Sequence, residues 1–597
     1  MFAVPGDESS VPIAQHCTLL LNLTHTILHL YTTQAFILAM RILLLLLVLV
    51  QFVSSLNILI FLLGTNQFER NIFEFLAQQL ALRHHNVISV KPILIPEEPR
   101  LVKPKLHLVR ERVIKNVLNK EFFKQLEDAV PNTAWKAYYD YNSYLEPYYR
   151  AHNASCYKLL NSNLVDSLKK ESLDVAIVYS GNPCQNALTH LIAVPTIYFD
   201  TEGVTDESLI AAGAPVDVLT SPSHCEIAES TAYPIFNIYR NSICYLQEMT
   251  AQLGLPIISS IVSKRHRLLD EPITNIFRND YTIKKRFKNF PNVNTLKQQS
   301  VAYFVNSDPL LEPSRALPPN IVHVGGIHID HPKPLFSPWN TTIASAKEGL
   351  IIVSFGTQAD SSKMSAKHAT AILKALTNLN DFRIYWRVGP NMKLNGIDLE
   401  KVPKHINLTT FIPQNDLLAH KSCKLFVTNG GMSSVMEAIA HGVPIVGVPL
   451  YGSNRHNLKK VEDKGLGIVI EKDDLNEISL YGAMKKVLDS AKYKHTAKEM
   501  SKEYRARATG PLAAALHVID HVGRHHSFAY MQPVNQPIYK RADFYLLLFI
   551  VFFPLLLLQK IFGSLIKASA KNLHSGTPAE TGDKLVANKD LESKKNK

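Results

Sequence analysis

The stretch from Phe411 to Asn457, FIPQNDLLAHKSCKLFVTNGGMSSVMEAIAHGVPIVGVPLYGSNRHN, constrains this chain more than any other. Leu425–Thr428 is a short apolar run bounded by polar residues, which predicts a strand of a buried parallel sheet. Asn429-Gly430-Gly431 follows as a tight turn, and glycine there lets backbone approach a ligand closely. Ser433-Ser434 then opens a helix expected over Val435–His441, with hydroxyls able to cap it. Gly442 ends that helix, and Val443–Val448 is the next expected strand. A strand, a glycine turn and a helix start together make an anion site whose natural ligand is a phosphate. The same pattern also serves as an ordinary connection that binds nothing.

The stretch resembles the donor-binding signature of the UDP-glycosyltransferases, the family of the microsomal UDP-glucuronosyltransferases. Pro413-Gln414-Asn415-Asp416-Leu417-Leu418, Gly430-Gly431, Glu437-Ala438, His441-Gly442-Val443-Pro444, Val446-Gly447, Pro449-Leu450 and Asn457 carry the resemblance. Weaker likeness runs from about Leu56 to the C-terminus. The resemblance implies an α/β chain of two facing Rossmann-like domains, the GT-B glycosyltransferase fold, plus a C-terminal transmembrane helix. It implies an acceptor in the first domain and a UDP-sugar in the second, with no prosthetic group. The co-substrate would be UDP-glucuronate or UDP-glucose, and the acceptor a small lipophilic molecule. A homo-oligomer is compatible with it.

At 597 residues the chain is long enough for two or more domains. A net charge of +13 could mark a nucleic-acid binder, but no basic cluster interleaved with aromatics appears, so no nucleic acid is expected. Residues 1–39 read as an extension. Met40-Arg41, nine apolar residues from Ile42 to Val50, and Ser54-Ser55 read as a signal peptide over 40–55. A signal anchor is the alternative.

Leu56–Leu63, helix Asn71–Arg83 and a strand from His85 then give a strand–helix–strand start for an acceptor domain over 56–330. Further strands are expected at Leu173–Tyr179, Val194–Phe199 and Val301–Asn306. The proline-rich run His331–Pro338 opens a linker over 331–348. A UDP-sugar domain over 349–530 starts with strand Leu350–Ser354 and the turn Phe355-Gly356-Thr357. Its last helix, near Pro511–Val522, crosses back onto the first domain in the family.

The apolar run Phe544–Leu558, fifteen residues, extends through Ile561–Ile566 by snorkelling of Gln559-Lys560 and predicts a membrane span over 544–566. The tail 567–597 has seven lysines against four acids, which favours a cytosolic side. It ends Lys594-Lys595-Asn596-Lys597, similar to a dilysine retrieval signal. The expected location is therefore the endoplasmic-reticulum membrane, single-pass type I, with lumenal domains. Sequons at Asn153, Asn340 and Asn407 fit a lumenal chain. The cysteines show no metal-ligand spacing, no carboxylate cluster sits at the donor stretch, and no metal is implied. One disulfide is allowed, but its pairing is not readable.

The family removes the acceptor proton with a histidine oriented by an aspartate. Counting back from His85-Asn86-Val87 places that histidine on Glu69, or on Gln67 or Phe68 with a gap. The aspartate position falls on Tyr179. Glu69 thus stands as a substitute base, although a free glutamate near pKa 4.3 is a poor one. On the donor side, the base-stacking aromatic is Phe411 and the phosphate-contacting histidine is Asn429. Ser433 and Ser434 follow the glycines, Glu437 is placed for the ribose hydroxyls, and Ser453-Asn454 replace the Asp-Gln pair that holds the sugar. Arg455 and His456 add positive character that could meet a sugar carboxylate. Two functions follow: an inverting UDP-glycosyltransferase, glucuronosyltransferase-like, acting on hydroxyl groups, or a non-catalytic relative binding UDP or a hydrophobic ligand.

Overall fold

The computed structural model describes residues 40–41, 55–62, 67–94, 108–139, 143–219, 223, 234–532 and 536–574, without the side chains of 67–69, 234, 256, 262 and 570–574. The signal segment between 42 and 54, residues 1–39, the tail beyond 574 and the Glu69 side chain lie outside that description.

Thirteen strands form two sheets among the described residues. The first sheet holds β1 (Asn57–Phe61), β2 (Asn86–Pro92), β3 (Arg110–Ile114), β4 (Val175–Tyr179), β5 (Thr196–Asp200), β6 (Ala302–Val305) and β7 (Ile321–His323). The second holds β8 (Gly349–Ser354), β9 (Phe382–Arg387), β10 (Ile406–Thr409), β11 (Cys423–Thr428), β12 (Ile445–Gly447) and β13 (Gly467–Val469). Every pairing is parallel, in the orders β3-β2-β1-β4-β5-β6-β7 and β10-β9-β8-β11-β12-β13. Central strands such as β4 (VAIVY) and β8 (GLIIVS) are buried along their whole length, as a sheet covered on both faces requires. The expected doubly wound architecture is present twice.

Most expected elements appear with shifted ends. The first helix runs Gln67–Leu82, and the helix after the glycine turn runs Met432–His441, three residues earlier than expected. β3 (RERVI) was not legible because an edge strand keeps charged side chains in solvent and has no apolar run. The helices Lys120–Ala134 and Leu145–Leu160 were not anticipated either.

The two halves clasp one another. The Lys120–Ala134 helix comes from the first half, yet Ala134 and Trp135 lie in the hydrophobic core of the second sheet. The Trp135 indole donates to the Asp360 carbonyl at 2.8 Å. Conversely, Ala515, Leu516, Ile519 and Val522 of the Pro511–His525 helix share a hydrophobic core with Leu56 and Ile58 at the start of β1 and Phe73 of the Gln67–Leu82 helix. The crossing back of this helix is what the family resemblance implied.

A disulfide joins Cys156 to Cys184, between the Leu145–Leu160 and Pro183–Ile192 helices, a pairing the sequence left open. Of the three sequons, Asn340 is exposed. At the other two, the Asn153 amide nitrogen donates to the Leu268 carbonyl at 2.8 Å, and the Asn407 amide nitrogen is buried within β10.

The helix Ala542–His574 is longer than the apolar run suggested, and Ala542–Ser569 is long and apolar enough to cross a membrane by length and composition. At 1.5 Å per residue, 28 residues exceed a hydrocarbon core of about 30 Å. Its first turns are seated on the Pro234–Gln252 helix through Phe544, Leu547 and Val551, while most residues beyond expose apolar side chains.

Candidate functional site

In each sheet the strand order reverses between two central strands, β1 and β4 in the first and β8 and β11 in the second. The loops leaving the carboxyl ends of such strands diverge and leave a crevice for ligands. In the second sheet these loops are Phe355-Gly356-Thr357 after β8 and Asn429-Gly430-Gly431 after β11. They meet: a Cβ on Gly356 would lie 3.4 Å from the Asn429 side-chain oxygen.

The glycine turn is shaped by packing. Gly430 has φ +86°, and a Cβ there would lie 2.3 Å from Leu458. The Asn457 amide donates to the Gly430 carbonyl at 3.0 Å and ties the turn to the Asn454–Asp463 helix. Gly431 is the N-cap of the Met432–His441 helix, and space beside it is open. No side chain caps that helix, contrary to the expected use of Ser433 and Ser434. The Ser433 hydroxyl instead accepts from Asn306 at 3.0 Å, and the Ser434 hydroxyl accepts from Gln414 at 3.0 Å. The first N–H groups of the helix therefore keep their positive end for an outside acceptor.

Glu437, one turn on, is buried and held from both sides. Gln414 donates to one oxygen at 2.6 Å, and His328 lies 3.2 Å from the other. Each oxygen keeps a further lone pair for a hydroxyl. Asn429 is also buried and donates to the Asn454 side-chain oxygen at 3.2 Å. That oxygen also accepts from the Tyr451 N–H at 3.3 Å, so Asn454 is partly consumed by the fold. Phe411, after β10, is 55% exposed, which leaves a ring face free to stack. Thr357 is exposed, and the Gly356 carbonyl accepts from Arg387 at 2.7 Å.

The expected cation at Arg455 is corrected. Its guanidinium donates to Glu471 at 3.0 and 2.5 Å and lies 4.0 Å over the Tyr139 ring. It is therefore held by groups of the fold. Tyr179, expected at the base-orienting position, ends β4 and lies in the hydrophobic core. Its ring meets Phe73 edge-on at 6.3 Å and folds back over Gly181. Glu69 lies in the first turn of the Gln67–Leu82 helix, beyond the carboxyl end of β1.

His328, Asn306 and Glu202 were missed. All three come from connecting loops of the first half and reach the second only in the folded chain. Loops of this kind carry no periodicity, and no signal in the sequence singles them out.

Beside these loops, Asp200 ends β5 and accepts from Thr205 at 2.5 Å and Ser208 at 2.8 Å. Burial pushes its carboxyl from 3.8 up to about 7, against the two hydroxyls that hold it down. The folded protein thus retains a proton that the unfolded chain releases. This stability is complete below about pH 4 and is lost as pH rises through about 7. The full swing is about 4 kcal/mol, at about 1.36 kcal/mol per unit. The melting temperature is expected to fall between about pH 4 and pH 7, and Asp200→Asn to flatten that fall. An unchanged slope in the variant would assign the loss to other groups.

Comparison with known proteins bears directly on this crevice. The family model for UDP-glucoronosyl and UDP-glucosyl transferase matches residues 71–563. The chain belongs to the UDP-glycosyltransferase family. It is 28% identical over 373 residues to human 2-hydroxyacylsphingosine 1-beta-galactosyltransferase, covering 61% of this chain and 62% of that one. It is 26% identical to human UDP-glucuronosyltransferase 1A3, over 66% of this chain and 71% of that one. The match thus spans about three fifths of the length of the first relative. Among solved structures, Os79 from O. sativa in complex with U2F and trichothecene aligns with a TM-score of 0.51 at 15% identity, covering 79% of this chain and all of that one. Spinosyn forosaminyltransferase SpnP aligns at 0.50 and 12% identity, over 79% of this chain and 100% of that one. The fold of this UDP-glycosyltransferase family member is GT-B, two facing Rossmann-like sheets with a C-terminal apolar helix.

Proposed function

We propose that the chain is a membrane-anchored UDP-glycosyltransferase that moves a sugar from a UDP-sugar to a hydroxyl group of a small lipophilic acceptor, with inversion. The observation that carries this reading is the open glycine turn at the switch point, with Glu437 held two-sidedly one helical turn away. The helix N–H groups would take the diphosphate and stabilise UDP as it leaves. Glu437 would accept from the ribose hydroxyls, and Phe411 would stack on the uracil. The apolar helix Ala542–Ser569 would anchor the chain in the endoplasmic-reticulum membrane as a single-pass type I protein. The lipophilic acceptor accords with the sphingosine named for one relative. The domain bounds 56–330 and 349–530 are proposed with the Lys120–Ala134 helix shared across them.

A second reading, a relative that binds UDP without turnover, is favoured by Tyr179, because the position that would orient a base holds a buried phenol in place of a carboxylate. Calorimetry of UDP with the full-length chain in lipid nanodiscs is the test. UDP is expected to bind, and Glu437→Gln to weaken it about 10- to 100-fold, the range for losing a charge-assisted hydrogen bond of about 1.5–3 kcal/mol. Binding with UDP-sugar hydrolysis supports the transferase. Binding without hydrolysis or transfer across an acceptor panel supports the second reading. No binding overturns the donor site.

A further inference from the structure

The loop after β5 crosses from the first half to the donor crevice. Glu202 on this loop accepts a hydrogen bond from the Ser453 hydroxyl at the start of the Asn454–Asp463 helix. The neighbouring Gly203, at φ +111°, passes so close to Met432 that a Cβ would lie 2.9 Å from its methyl group. The loop is pinned rather than loose. Asn306 donates to the Thr201 carbonyl at 2.9 Å and to the Ser433 hydroxyl at 3.0 Å, and the Glu202 N–H donates to Asp200 at 3.3 Å. A carboxylate is thus fixed between the glycine turn and Ser453, beside the point where a group carried by a helix-bound diphosphate must project. Glu202 is only half-buried, so it retains lone pairs for a ligand.

The charges around it point one way. Arg455, two residues beyond Ser453, is drawn off to Glu471 and Tyr139. Lys460 on the same helix is paired with Glu312 at 2.7 Å. The Glu202 carboxylate stands beside Ser453, and these two cations are turned to other partners within the fold.

We propose that Glu202 is the sugar-reading residue of this site: it accepts from the hydroxyls of a neutral hexose and repels the carboxylate of a hexuronic acid. The inference rests on the donor-site reading above and goes beyond it by naming the class of sugar. A like-charge contact in a partly desolvated crevice discriminates by at least about tenfold, since tenfold corresponds to about 1.4 kcal/mol.

The test is competition calorimetry on the full chain in nanodiscs with UDP, UDP-glucose, UDP-galactose and UDP-glucuronate. The wild type is expected to bind at least one neutral donor about tenfold or more tighter than UDP-glucuronate. Glu202→Gln is expected to bring that ratio within about twofold while UDP itself still binds. Equal affinity for neutral and uronic donors in the wild type overturns the inference, as does an unchanged ratio in a Glu202→Gln protein that binds UDP. Should Glu202→Gln lose UDP binding, Ser453→Lys decides instead. A cation against Glu202 is expected to raise UDP-glucuronate affinity selectively, and no such rise overturns the proposal. A wild type that binds the sugars only as UDP does refutes sugar reading while leaving the donor site intact. A wild type that binds no UDP removes both.

Discussion

Glu312→Ala is expected to destabilise the folded chain by about 3–5 kcal/mol, the range for leaving one partner of a buried ion pair without its counter-charge. Glu312 lies on the loop between β6 and β7 in the first half, and Lys460 lies on the Asn454–Asp463 helix of the second. Their side chains are 4% and 8% exposed and meet at 2.7 Å. The Ser307 hydroxyl donates to the same carboxylate oxygen. Truncating Glu312 leaves an ammonium group in a place that water does not reach, and its desolvation is then uncompensated. The bridge also joins the two halves on either side of the crevice, so weaker UDP binding should accompany the loss. Thermal melting of the full chain measures the effect. The double variant Glu312→Leu with Lys460→Met should recover most of it, because removing both charges removes the penalty. A loss under about 1 kcal/mol in Glu312→Ala would mean the pair is solvated and contributes as a surface bridge does.

Gly430→Ala is expected to abolish measurable UDP binding and to cost several kcal/mol of stability. Two costs combine. A non-glycine residue at φ +86° is strained by about 1–2 kcal/mol. The added Cβ also falls 2.3 Å from Leu458, which is itself gripped from the other side, since a Cβ on Gly447 would lie 2.4 Å from it. Overpacking of this kind typically costs about 1–3 kcal/mol. The turn must shift to relieve the contact, and the N–H groups that follow it shift with it. Pairing Gly430→Ala with Leu458→Ala separates the causes. Recovered stability without recovered UDP binding would show that the turn's conformation, and not only its packing, makes the site. Full recovery of both would show that sterics alone kept alanine out. UDP affinity undisturbed in the single variant would refute the turn as the phosphate cradle.

Much of the architecture was legible because buried parallel strands write themselves as apolar runs. β1, β4, β5, β8 and β11 were all anticipated within a few residues, and so was the glycine turn between β11 and its helix. The strand-turn-helix pattern is local, and so is its chemistry. Where a strand lies at an edge, as β3 does, charged side chains replace the run and the signal vanishes. Helix ends moved because capping depends on partners. Ser433 and Ser434 have the composition of caps, yet Asn306 and Gln414 claim both hydroxyls.

Chemistry assigned by counting along the chain fared unevenly for the same reason. Tyr179 does stand at the carboxyl end of β4, but its ring is taken into the core by Phe73, which the sequence gives no means to foresee. Arg455 reads as a free cation until Glu471, sixteen residues on, is seen beside it. Asn153 and Asn407 satisfy the sequon pattern, and only their surroundings show that both amides are occupied or enclosed.

By itself, then, the sequence determined the family, the two parallel sheets and the position of the glycine turn, because each rests on hydrophobic burial and backbone geometry over a few consecutive residues. The tertiary structure alone decided which side chains face the crevice. Glu202 against Ser453, His328 against Glu437 and Asn306 against Ser433 each pair residues more than a hundred positions apart. Such contacts depend on how the two halves close on one another, and closure is set by the summed packing of the whole chain rather than by any local pattern.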